Sequence, residues 1–233
     1  MFELTPVEAE ALALSLRVAC WAVATSLPLG ILVAFILTRI EFPGRSIVSG
    51  LVHLPLVLPP VVTGYALLLL LGRHSPLGAW LESSFDVVVA FRWTGAAIAS
   101  AVMGFPLMVR AIRLSLESVD RRLEAAAHTL GANRVWTFLA VTLPLMLPGI
   151  LAGAILAFAK SLGEFGATIT FVSNIPGETR TLPNAIYTFT QVPGGEQEAL
   201  RLCLIAVALS MAALLGSEIM ARFLGRRTQP DVG

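Results

Sequence analysis

The chain alternates long apolar runs with short polar interruptions. Five runs, about 12–38, 47–71, 93–112, 135–158 and 199–220, approach or reach the roughly 20 residues a helix needs to cross the hydrocarbon of a bilayer. Ahead of the first stand Thr5, Pro6 and Glu8, a capping box with proline at the first helical position, so a helix is expected to start there and run to about Thr38. The second run contains Pro55, Pro59 and Pro60. Prolines free backbone carbonyls and must kink or unwind this span, which is tolerated at membrane depth only against protein or water. Gly104 and Pro106 lie inside the third run, Pro144 and Pro148 inside the fourth. Residues 72–92 read as a polar loop with an apolar stretch over 87–91. Residues 161–197 are too polar and too rich in Gly and Pro for a clean span, with a short helix expected over 182–191. The pattern describes an all-α polytopic membrane protein with one transmembrane domain, residues 1–227, and a tail, 228–233.

The interruption between the third and fourth runs, residues 118–134, has its own order. Val119, Leu123, Ala126, Ala127 and Leu130 recur at helical spacing, with Arg121, Arg122 and His128 elsewhere around the turn. Ser118 or Asp120 can cap its start, Gly131 can end it in a left-handed turn, and Asn133 can cap the next helix. A short amphipathic helix, a glycine break and a fresh span make a protruding handle.

The arginines orient the set. Arg39 and Arg45 lie in the first interruption, Arg110, Arg113, Arg121, Arg122 and Arg134 around the handle, and Arg222, Arg226 and Arg227 in the tail. The alternate loops hold Arg73 and Arg92 in one and Arg180 and Arg201 in the other. The excess of positive charge on cytoplasmic loops then places the handle and C-terminus inside and the N-terminus outside, an arrangement that five spans satisfy. Residues 161–197 become an external segment.

Composition agrees with this. The chain is 56% hydrophobic and 13% charged, where a soluble domain carries about 25% charged residues. Its net charge of +1 gives no basic field for nucleic acid. Cys20 and Cys203 sit in apolar runs without a metal spacing and read as small buried residues. The start, MFELTPVEAE, is acidic where a signal peptide would be basic. The single lysine, Lys160, lacks the glycines of a phosphate-binding loop. No catalytic or metal-binding pattern appears, so the chain is expected to bind no cofactor of its own.

Lys160 and Glu164 are four residues apart near the outer end of the fourth run. They read either as a pair that neutralises itself or as a polar point at an outer gate, with Gly163 and Gly166 as a hinge. Thr63 and Gly64 follow the prolines, and Thr168, Thr170 and Ser173 lie beyond the fourth run. These hydroxyls either pack helices or line a path. His53 is a lone histidine among apolar residues and reads as packed or capped.

Glu124-Ala125-Ala126, then Gly131, Phe138 and a closing Leu143-Pro144, resemble the EAA loop of binding-protein-dependent ABC importer permeases. The resemblance extends over residues 11–226. Residues 39–68 and 161–191 are most like molybdate permeases, and the GEFGA run is shared with sulfate permeases. It implies the type I importer permease fold and a bacterial inner-membrane location. It also implies a homodimer, two copies of a separate ATP-binding subunit that uses the ATP, and an external binding protein delivering a tetrahedral oxyanion. Glu124, Ala125, Ala126 and Gly131 become coupling contacts. Alanines at 125–127 allow close approach of a partner backbone, and Glu124 can cap or pair with it. Arg121, Arg122 and Arg134 either add salt bridges to the ATPase or only set topology. Thr63, Gly64, Lys160, Glu164, Thr168, Thr170 and Ser173 become pathway or gate candidates.

Overall fold

The computed structural model describes residues 4–228, and among them only helices and connecting turns occur. Helix α1 (Pro6–Arg39) opens with a capping box. Glu8 N donates to Thr5 Oγ1, and Thr5 N donates to Glu8 Oε2 at 2.7 Å. Helix α2 (Arg45–Val57) contains Pro55 without ending there. The break falls at Leu58 and Pro59, both extended, with ψ 144° and 133°. A residue that precedes proline is pushed out of the helical region, and both of these do. Pro60 then opens α3 (Pro60–Leu71), where its missing N–H is no loss. The two helices meet at a bend of 115°. The triple-proline stretch therefore divides the expected second span into two helices.

Residues 72–92 carry more structure than a loop. Ser75 caps α4 (Pro76–Phe85) by accepting from Gly78 N at 2.9 Å, and Val89 and Ala90 fold back into the core. Helix α5 (Trp93–Ser118) runs one and a half turns past the expected end of its span, because Ile112 and Leu116 stay fully buried there. Helices α6 (Arg121–Thr129) and α7 (Arg134–Thr137) follow, then a π-helical turn, Phe138–Thr142, and α8 (Leu143–Leu162). The polar segment after α8 folds as α9 (Gly166–Val172) and α10 (Leu182–Thr190), packed rather than loose: Phe171, Val172 and Leu182 are core residues. The last helix, α11, spans Glu196–Thr228. Residues 229–233 of the expected tail lie outside the described residues.

Four stretches are long and apolar enough to cross a membrane: α1, α5, Arg134–Leu162 and Glu196–Gly216. The fifth is the broken pair α2 and α3. Helix α5 is the centre, packed against α1 on one side and α8 on the other. Its contact with α8 runs along Gly149, Gly153 and Ala157, one small residue per turn. A Cβ on Gly153 would lie 2.9 Å from Met108 O, and one on Gly104 of α5 would lie 3.2 Å from Ala157 Cα. Hydrocarbon gives apolar side chains no reason to prefer each other over lipid, so close backbone approach supplies the attraction. Helix α9 meets α3 the same way, with Gly64 placed so that a Cβ would lie 2.5 Å from Ala167 O.

Gly153→Val is therefore expected to destabilise the purified chain by about 1–3 kcal/mol through overpacking, read as a lower unfolding midpoint in detergent. Gly50→Val, at a glycine with nothing within 4 Å, should leave that midpoint nearly unchanged.

Candidate functional site

One end of the bundle is built around Glu124. Asp120 starts α6 by accepting from Arg122 N at 2.9 Å, and the chain reverses after it at Gly131, φ +88°, a conformation that favours glycine. Asn133 then accepts from Trp136 N at 2.8 Å to cap α7. These caps aim one turn of α6 back at the bundle. Arg39 Nη2, at the last residue of α1, donates to Glu124 Oε1 at 2.9 Å. Thr142 Oγ1, at the end of the π-helical turn, donates to the same oxygen at 2.8 Å. Arg39 is 11% exposed and Glu124 22%. One carboxylate thus ties α6 to the end of α1 and the beginning of α8. A cavity of about 270 Å³ beside it is lined by Arg121, His128 and Arg134.

The rest of α6 faces outward. None of its residues is buried. Ala125, Ala126, Arg121, Arg122 and Gly131 are exposed, as is Arg134. The expected apolar face does not turn inward as a whole. Val119 is buried, but Leu123 is exposed and Leu130 is 88% exposed. Val135 and Trp136 extend the same exposed apolar surface.

The other candidate residues lie toward the opposite end. Lys160 Nζ donates to Glu164 Oε2 at 2.6 Å, and Glu164 Oε1 accepts from Ala167 N at 2.9 Å. Glu164, with 1% of its side chain exposed, thus caps α9 while neutralising the lysine. Thr168 donates to Phe165 O at 2.9 Å and Thr170 to Gly166 O at 2.8 Å. Thr63 and Gly64 are buried in the α3–α9 contact. Lys160, Glu164, Thr168 and Thr170 thus have hydrogen-bond partners within the chain, whereas the buried Thr63 Oγ1 has none. Ser173 differs: it is exposed, with φ +65°. Past it, Asn174 Nδ2 donates to Thr188 Oγ1 and Arg180 Nε donates to Asn174 Oδ1, at 2.8 and 3.1 Å. At this same end Arg201 Nε donates to Glu8 Oε1 at 2.8 Å, joining α1 to α11.

Residues 26–230 match the family described as the binding-protein-dependent transport system inner membrane component. The chain belongs to that family. Among its relatives, the molybdenum transport system permease protein ModB of Escherichia coli is 58% identical over 96% of this chain and 98% of its own. ModB of Haemophilus influenzae is 54% identical over 97% of each. Among solved structures, a bacterial alginate ABC transporter in complex with an alginate pentasaccharide-bound periplasmic protein superposes with a TM-score of 0.74. At 17% identity, over 94% of this chain and 80% of that one, this likeness speaks for the fold alone.

In this inner-membrane component, the residues that hold Glu124 escaped the sequence pattern. Arg39 is 85 residues away and stood only among the charges that set topology. Thr142 sits in an apolar run. The one available signal was that a lone hydroxyl and a terminal arginine begin and end spans that must meet the same loop. The small-residue stripe of α8 escaped the pattern too, although Gly149, Gly153 and Ala157 stand at a spacing of four.

Removing the lysine from the outer pair leaves a buried carboxylate without its cation, while removing the carboxylate charge leaves a lysine whose side chain is 29% exposed. Lys160→Ala is therefore expected to cost about 1–3 kcal/mol and Glu164→Gln clearly less, compared by unfolding in detergent.

Proposed function

We propose that this chain is the membrane permease of an ATP-driven molybdate importer. It works as a homodimer with the path on its axis, lies in a bacterial inner membrane with the α6 end cytoplasmic, and receives its anion from an external binding protein. The substrate assignment rests on the 58% identity to a molybdenum permease across nearly the full length of both chains. The observation that carries the mechanism is the clamp at Glu124. Two copies of a separate ATPase dock on the exposed face of α6, where Ala125 and Ala126 permit close backbone approach and Leu123, Leu130 and Trp136 offer apolar area. ATP-driven movement of that partner reaches the spans through the carboxylate, because Arg39 and Thr142 fasten α6 to α1 and α8. Glu124 is thus a positioning residue inside the permease and not mainly a contact to the ATPase.

In proteoliposomes containing the permease, the ATPase and the molybdate-loaded binding protein, uptake of labelled molybdate should require ATP. Uptake that persists without ATP or without the ATPase would overturn the importer reading, and uptake of sulfate in place of molybdate would overturn the substrate. Ala126→Trp should leave the chain in the membrane but separate ATP hydrolysis from uptake.

For the clamp, Arg39→Glu and Glu124→Arg should each lower uptake per ATP hydrolysed, since a hydrogen bond to a charged group contributes about 1.5–3 kcal/mol. Combining them should restore part of the loss. If the combination is no better than the worse single change, Glu124 acts on the partner and the clamp is not the link.

A further inference from the structure

The residues that best suit contact with a travelling anion are not those singled out between α8 and α10. A cavity of about 380 Å³ opens between α2 and α5, toward the α6 end. Its walls are Ser49 and His53 from α2 and Arg110, Arg113, Leu114 and Glu117 from α5. Positions 110, 113 and 117 share one face of a helix, as do 49 and 53. Arg110 and His53 each lie eight residues from the helix end at this side, about 12 Å along the axis. Around them, Ile47, Leu51 and Leu54 expose apolar surface. A polar concavity set into a greasy surface at this depth faces water or protein, since hydrocarbon cannot satisfy it.

Its donors outnumber its acceptors. Arg110 is exposed and forms no ion pair among the described residues. Arg113 Nη1 reaches Ser49 Oγ at 3.4 Å and Nη2 reaches Glu117 at 3.5 Å, while its Nε is buried without a partner. His53 Nδ1 donates to Ser49 O at 2.7 Å, which holds the ring against α2. We propose that this cavity is an inner anion subsite, in which Arg110 and Arg113 hold a tetrahedral oxyanion such as molybdate on its way to the cytoplasm. Two guanidinium groups present N–H donors that suit oxyanion oxygens. Glu117 offsets part of their charge, so the hold is weak enough for release. The proposal rests on the importer reading for direction and substrate. Lipid phosphate shares the same chemistry, and the test separates the two sources.

The test uses the complete complex, with Cys20→Ala and Cys203→Ala removing the native thiols and Ser49→Cys supplying one in the cavity. A membrane-impermeant thiol reagent applied from the α6 side should label it, in neutral-lipid vesicles as well as anionic ones. Millimolar molybdate should slow labelling several-fold, and this protection should vanish with Arg110→Gln. Arg110→Gln should also lower ATP-driven uptake about tenfold, the low end of what a charged cleft adds to local ion concentration, with the unfolding midpoint unchanged. Absence of labelling from either side would overturn the proposal, because the face would then be covered. Labelling that molybdate does not slow would overturn the anion subsite. Protection produced only by anionic lipid, with or without molybdate, would assign the cavity to lipid and overturn it as well. The complex retaining Arg110 serves as control: if its uptake needs no ATP, the importer reading fails, whatever the labelling shows.

Discussion

The structure depends on how closely two helices can approach when the surrounding solvent is as apolar as they are. The stripe of Gly149, Gly153 and Ala157 lets α8 lie against α5 with a Cβ's width removed. Dispersion between near backbones then replaces the hydrophobic effect that would drive such packing in water. Helix α5 becomes the one buried span of the set, and α1 closes over its other side through Gly30, which faces Met108. The many exposed leucines and valines on α2, α3 and α11 are ordinary for this solvent.

Polar groups work at the two ends of that frame, and they work by joining elements. At the α6 end Glu124 collects Arg39 and Thr142. At the α10 end Glu8 collects Thr5 and Arg201, and Ser15 of α1 accepts from Leu182 N. Each carboxylate is part-buried or buried and has a guanidinium, so its charge is matched and its geometry held. The consequence for function is that α6 is not a free appendage. It is held by a charged bond to the end of α1 and by a hydroxyl at a π-helical turn, a local irregularity in the helix.

The broken pair α2 and α3 serves a different purpose. Two consecutive residues before proline are extended, so the backbone leaves the helix, and α3 is taken up by Gly166 and Ala167 of α9. This leaves α2 lightly packed, with one edge, Ser49 and His53, turned to the arginines of α5.

Much of this was decided locally and could be read from residue order. Capping at Thr5–Glu8, the stop at Gly131, the cap at Asn133 and the long apolar runs depend on residues within one or two turns, which is why they are visible in sequence. The same holds for the all-helical membrane class and for the short amphipathic helix of the handle. What the tertiary structure alone decided is pairing across the chain: Arg39 with Glu124, Arg201 with Glu8, and Arg113 of α5 with Ser49 of α2. It also buried Thr63 and Thr168, gave Thr168 and Thr170 backbone acceptors one turn back, and turned Leu130 outward. A hydroxyl or a leucine at helical spacing has the same sequence signature whichever side it faces. Only the position of the neighbouring helix, set here by where glycine permits contact, determines whether it is covered.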